Sequence, residues 1–166
     1  MSDTNGYGGQ VPPGEPRLLL PFLAPFYNVV RDLSYPLMRL TLGGLVLFHA
    51  FTSGKLTGKV TIASFATTLA KRGLEPSVPL AYLVFFSETV AAVCLIVGFF
   101  TRFCAAAIAI ELAVITFAVY WPQGFHFAQT PNGGAELPFL WGLMVFFVAL
   151  RGGGPYSLDR KIGWEL

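Results

Sequence analysis

Long apolar runs separated by short polar stretches dominate the chain between residues 34 and 151. The clearest run, Pro79 to Phe100, contains Glu88 as its single formally charged residue. As a helix this run would measure about 33 Å at about 1.5 Å per residue, which matches the hydrocarbon thickness of a bilayer. The pattern therefore predicts a transmembrane helix.

Three further apolar runs have the same character. They cover residues 34–51, 103–121 and 134–150, and the first of them begins with a proline in its first turn, as helices often do. Thr101 and Arg102 alone separate the second run from the third, so those two helices must be antiparallel neighbours. The sequence predicts an all-α membrane protein built as a four-transmembrane-helix bundle.

Between the first and second runs, residues 60–72 show a different period. Their apolar side chains recur at i, i+3, i+4 and i+7, opposite polar ones, and belong to Ile62, Phe65, Ala66 and Leu69. This spacing predicts an amphipathic helix lying at the membrane interface, ended by Gly73.

The two ends of the chain lack spanning runs. Residues 1–33 are expected to form a flexible tail rich in Pro and Gly, followed by an interfacial segment over 18–30 that is too short to cross a bilayer. Residues 34–151 would be the transmembrane domain, and 152–166 a C-terminal tail.

Composition and charge narrow the class further. The chain is 54% hydrophobic and 12% charged, which agrees with the lipid bilayer as a partner, and a net charge of +2 is too small for a nucleic-acid surface. Four spans place both termini on one side, where six Lys and Arg residues face four on the other, so cytoplasmic termini are predicted. The spacing of two cysteines and two histidines predicts no metal site.

Three ionisable residues fall inside predicted spans and define a candidate intramembrane charge layer. Glu88 and Glu111 lie about 14 to 15 Å from the outer ends of their helices, and Arg39 lies about 18 Å from the outer end of the first. We expect Arg39 to pair with one glutamate, and the other to be protonated because burial and a like charge disfavour its ionised form. The alternatives are that the three residues merely tie helices together, or that Arg39 reaches back to nearby head groups.

A second candidate group is predicted near the outer face. His49 lies at the end of the first span, Lys55 just after it, and Glu136 at the start of the fourth, with His126 in the preceding loop. Such a set could bind the polar head of an amphipathic ligand and exchange protons with it, as could Glu88 below it. The alternative is that Glu136 stabilises its own helix start, Lys55 anchors at the interface and His126 packs in the loop.

Several short motifs resemble those of the DoxX family of small bacterial membrane proteins. Their order and spacing carry the resemblance over about residues 36–161. They are Arg39, the Gly-rich first span with His49 and Lys55, GLEPSVPLAYLVFFSE leading into Glu88, GFFTR, NGGAE with Glu136, and GGGPYSLDR.

The resemblance implies a four-helix bundle in the bacterial inner membrane, acting as a subunit of a quinone-linked redox complex. Because no cofactor motif is present, no intrinsic cofactor is expected; quinone and other membrane subunits are the implied ligand and partners, and whether the chain is itself an enzyme stays open. A non-catalytic structural subunit and a small proton-coupled transporter remain alternatives, the latter using Arg39, Glu88 and Glu111.

Overall fold

The computed structural model describes residues 19–125 and 134–165. All regular structure in these residues is helical. A short 3₁₀ turn, Pro21–Leu23, precedes the helices, which we number in chain order. They are α1 (Ala24–Thr52), α2 (Ile62–Lys71), α3 (Ser77–Val97), α4 (Thr101–Gln123), α5 (Glu136–Arg151) and α6 (Leu158–Ile162).

The four long helices, α1, α3, α4 and α5, share one apolar core. Small side chains are frequent in it, which lets the helices approach closely. Its buried members are Tyr35, Leu42, Val46, Ala91, Ala92, Leu95, Cys104, Ala105, Ile108, Ala109, Val145 and Val148. Cys104 and its neighbour Cys94 are both free thiols packed in this core, as expected for small apolar side chains.

Two of these helices, α3 with 21 residues and α4 with 23, are long and apolar enough to cross a membrane. Among the described residues no other helix meets the same standard of length and composition. Two of the four core helices are therefore candidate spans, and the four-span bundle stays a prediction. Large apolar side chains remain exposed on the outer faces of both, including Val90, Ile110 and Phe117. Such surfaces are suited to lipid.

Helix α1 is longer than predicted. It begins at Ala24, so most of the segment expected to lie separately at the interface is part of the same 29-residue helix. Pro25 occupies the first turn, where its missing N–H is not needed, but Pro36 lies inside the helix. Buried side chains on either side of Pro36, Tyr35 and Arg39, hold the helix together through tertiary contacts.

The packing of α1 on α3 depends on Gly43. A Cβ atom at this position would lie 2.7 Å from Ile96 Cγ1 and 2.9 Å from the Ala92 carbonyl oxygen, whereas one at Gly44 would meet nothing within 4 Å. Of these two adjacent glycines, Gly43 is therefore the one that allows the close approach of α1 to α3.

Helix α2 has the apolar face that its period predicted. Its start is capped reciprocally, because Ser64 N–H donates to Thr61 Oγ1 and Thr61 N–H donates to Ser64 Oγ. The face packs beside the first half of α3 in a second, smaller cluster around Ala66, Leu69 and Ala81. The interfacial position predicted for α2 stays a prediction, since the contacts define only its partner helix.

The segment after α5 closes one end of the bundle and is not a free tail. Tyr35 Oη donates to the carbonyl of Gly152, and the Arg39 guanidinium donates to the carbonyls of Gly153 and Tyr156, the latter at 3.1 Å. These bonds tie the C-terminal segment to α1.

Asp159 joins the same segment to the start of α4. Its carboxylate accepts hydrogen bonds from the backbone N–H groups of Phe100 and Thr101 at 2.8 and 2.9 Å and from Thr101 Oγ1 at 2.6 Å. The first N–H groups of a helix lack partners within it, and the helix dipole favours a negative charge there. Gly98, in the turn between α3 and α4, leaves room for Arg39, because a Cβ at that position would lie 2.5 Å from Arg39 Nη1.

We predict that Gly43→Ala destabilises the protein by about 1 to 3 kcal/mol, the usual penalty for overpacking a tight contact. Gly44→Ala is the matched control, because it adds the same methyl group at the next position into open space. Thermal unfolding of both variants in a mild detergent measures the difference. Equal unfolding temperatures for the two variants would contradict the assigned contact.

Candidate functional site

A buried ion pair between Lys55 and Glu88 lies at the centre of the candidate site. Lys55 Nζ is 2.6 Å from both carboxylate oxygens of Glu88, and the two side chains are only 6% and 5% exposed. The ammonium group also lies 4.8 Å above the centre of the Phe65 ring, within the range of a cation–π contact. Lys55 therefore turns inward from the turn after α1, which disfavours the alternative that it only anchors at the interface.

A second carboxyl group, that of Glu111, adjoins this pair from α4. Ser87 Oγ is in hydrogen-bond contact with Glu111 Oε2, while Glu111 Oε1 is buried without a partner among the described residues. The charges of Glu88 and Lys55 both interact with the Glu111 carboxyl group. The prediction that the two glutamates lie on adjacent helices at one level is consistent with these contacts.

Ser87 has one hydroxyl hydrogen but three acceptors around it. Its Oγ lies 2.9 Å from the Leu83 carbonyl and 3.1 Å from the Val84 carbonyl, besides Glu111. If Glu111 is ionised or carries its proton on Oε1, Ser87 donates to Oε2. If the proton is on Oε2, Glu111 donates to Ser87 and Ser87 donates to a carbonyl. Rotation of one hydroxyl therefore accommodates both protonation states of Glu111.

Local helix geometry places these groups. Ser87 and Glu88 begin a π-helical turn of α3, Ser87–Ala91, and a second π turn of α4, Ile115–Tyr120, begins directly after the turn that contains Glu111. π turns inside α-helices are rare and occur often at functional sites. Both glutamates lie near the midpoints of the two candidate spans.

Arg39 does not belong to this group, and the predicted layer of three charges does not form. Its guanidinium bonds the carbonyls of Gly153 and Tyr156 at the far end of α3, and it makes no ion pair with Glu88 or Glu111. Its Nε is buried without a partner among the described residues. The depth estimate assumed that the C-terminal end of α1 is level with the start of α3. Instead Gly43 packs against Ile96, and Lys55, just after α1, reaches Glu88, so α1 is displaced along the bundle.

The predicted outer group is only partly assembled. His49 is exposed on α1, and within the described residues no hydrogen bond or ion pair joins it to Lys55 or to Glu136. Glu136 lies in the first turn of α5, as predicted, and is half-buried. His126 lies outside the described residues.

Three contributors to the polar contacts were not singled out from the sequence. Ser87 precedes Glu88 directly and could have been found by its position, and the sequence marks Phe65, ten residues after Lys55, only as a member of the apolar face of α2. Asp159 is distant in the chain from the N–H groups it binds, and no local signal in the sequence marks it.

The cluster can hold a proton and can present hydrogen-bond donors inside an apolar bundle. Lys55 neutralises the Glu88 carboxylate, whereas no cation is bonded to Glu111 among the described residues. Glu111 Oε1 would be a hydrogen-bond donor when it carries a proton and an acceptor when it does not. Placing an ionisable side chain near the centre of a bilayer costs free energy, so such residues usually have a function.

These features define a helical membrane protein with a buried ionisable cluster between its apolar helices. The DoxX family model matches residues 36–121, more than half of the 166-residue chain. The chain belongs to the DoxX family and is a membrane protein, as the resemblance implied.

A protein of Haemophilus influenzae described as uncharacterized is 35% identical to this chain over 75 residues. The match covers 45% of this chain and 55% of the relative, so the chain spans about half the length of the curated relative it matches. No solved structure matches the chain.

We predict that Lys55→Met destabilises the protein by about 3 to 5 kcal/mol, because it leaves the buried Glu88 carboxylate unpaired. Adding Glu88→Gln should recover part of that loss, since the double variant buries no unpaired charge at this point. Unfolding midpoints of the two single variants and the double variant, measured in one detergent, give the coupling.

Lys59→Met is the control, because this lysine is exposed and only four residues away. It should change the free energy of unfolding by less than about 0.5 kcal/mol. If Lys55→Met proved as stable as Lys59→Met, the buried ion pair would be refuted.

Proposed function

We propose that this DoxX family protein is an integral membrane subunit of a quinone-linked redox complex, with Lys55, Glu88 and Glu111 as its working site. The observation that carries the proposal is the buried cluster of these three residues near the midpoints of two candidate spans. Membership of the DoxX family supports a place in the membrane, and the contacts of the three side chains support the binding of a quinone.

The chemistry of the cluster fits a quinone. A bound quinone takes up two electrons and two protons on reduction to quinol. Glu111 Oε1 is buried without a partner, so a protonated carboxyl there has an O–H free to donate to a quinone carbonyl. Lys55 is a second donor and Glu88 holds it in place.

The exposed face of α1 and the start of α5 offer further candidate contacts. His49 and Glu136 belong to the proposal as residues that would contact the polar head or exchange protons with it. Electrons would arrive from a partner polypeptide, since the sequence carries no cofactor motif.

The proposal includes four spans in the bacterial inner membrane, with both termini cytoplasmic and α2 at the outer interface. The shared core supports four spans, because α1 and α5 pack directly on the two candidate spans. The greater number of Lys and Arg residues on the terminal side supports the orientation.

The test is the quinone content of the purified full chain. Glu111→Leu removes the donor without leaving a charge, so bound quinone extracted from the detergent-purified variant should fall about tenfold. Glu111→Gln keeps a donor at the same position and should keep most of the quinone. The control is Glu75→Gln, an exposed carboxylate outside the cluster.

Full retention of quinone by Glu111→Leu, or absence of quinone from the wild type, would contradict the proposed site. Parallel variants His49→Ala and Glu136→Gln measure whether these residues contribute. Stoichiometric co-purification with a larger assembly, combined with tolerance of Glu88→Gln, would instead indicate a structural subunit. A pH-dependent flux in vesicles that Glu111→Gln abolishes would indicate a transporter.

A further inference from the structure

A basic cavity lies at the end of the bundle that the C-terminal segment closes. Its volume is about 790 Å³, and it is bounded by Asp32 on the third turn of α1 and by the segment after α5. Three cationic side chains line it, those of Arg151, Arg160 and Lys161, whereas Asp32 is the one acidic side chain in its lining.

These cations are available to a ligand. All three are exposed, and within the described part of the chain no carboxylate forms an ion pair with any of them. Arg151 lies 4.2 Å over the ring of Tyr35, a contact that orients the guanidinium without neutralising it. By contrast, the nearby Arg102 is already paired with Glu165 at 3.2 Å.

The cavity lies at the level where the two candidate spans end. The backbone N–H of Asp159 donates to the carbonyl of Gly98 at 2.9 Å, and its carboxylate binds the first N–H groups of α4. This contact places the segment beside the turn between α3 and α4. If those helices span the membrane, the cavity lies at head-group depth, whichever side of the membrane it faces.

Apolar side chains next to the cations remain in solvent or lipid. Tyr156 is 66% exposed and Trp164 82%, and Ile162 is exposed beside them. Aromatic rings and basic side chains together are typical of the head-group region of a bilayer. A free phosphate ion would use only the cations, whereas a lipid would use both sets of side chains.

We propose that this cavity binds the phosphate of an anionic lipid head group, held by Arg151, Arg160 and Lys161. The acyl chains would then lie against the exposed apolar surface of the bundle end. This site is separate from the Lys55–Glu88–Glu111 cluster and does not depend on the function proposed for it.

The test titrates the full chain in a neutral detergent with phosphatidylglycerol, and with phosphatidylcholine in parallel, and counts bound lipid by native mass spectrometry. The double variant Arg160→Gln/Lys161→Gln should bind phosphatidylglycerol about 30-fold more weakly than the wild type. Phosphatidylcholine should bind weakly to both proteins, because its head group has no net charge.

The chain offers a matched control in Lys71→Gln/Arg72→Gln, which removes an exposed Lys–Arg pair at the end of α2, outside the cavity. It should bind phosphatidylglycerol like the wild type, and millimolar inorganic phosphate should not displace the lipid. An equal loss of phosphatidylglycerol affinity in both double variants would show that the lipid is attracted by charge in general, and would contradict a specific site in the cavity. Displacement by inorganic phosphate would reassign the cavity to a free anion, and unchanged binding in Arg160→Gln/Lys161→Gln would refute it.

Discussion

A charged side chain among apolar helices must find its partner within the protein, because lipid offers none. This constraint sets the position of α1 along the bundle. Lys55, just beyond its C-terminal end, pairs with Glu88 near the middle of α3, while Arg39, on the helix itself, bonds the carbonyls beyond the end of α5. Gly43 lies between these two attachments and lets α1 approach α3 closely enough for both to form.

The C-terminal segment satisfies polar groups that the helices cannot satisfy by themselves. Helix α4 begins with N–H groups that need acceptors, and Asp159 supplies them from the other end of the chain. Arg39 needs acceptors as well, and the glycine-rich turn after α5 supplies backbone carbonyls. One short segment thus stabilises α1 and α4 together, and its exposed basic residues Arg160 and Lys161 line the cavity at this end of the bundle.

The same displacement of α1 separates two kinds of buried charge. Arg39 is held by backbone carbonyls and has a structural role in closing the bundle. Lys55 is paired with Glu88 inside the bundle, next to Glu111, whose Oε1 has no hydrogen-bond partner among the described residues. In this DoxX family protein the clustered ionisable side chains are therefore Lys55, Glu88 and Glu111, and Arg39 is separate from them.

Local features of the sequence determined the helical class, the amphipathic face of α2, the short turn between α3 and α4, and the family. Apolar length and period depend only on neighbouring residues, so they can be read along the chain. The sequence also singled out Glu88 and Glu111, because carboxylates within long apolar runs are conspicuous. The sequence did not determine that Lys55, and not Arg39, pairs with Glu88, nor that Asp159 caps the start of α4. Those pairings depend on the displacement of α1 along its neighbours, and that displacement is set by contacts between residues far apart in the chain, which only the tertiary structure brings together.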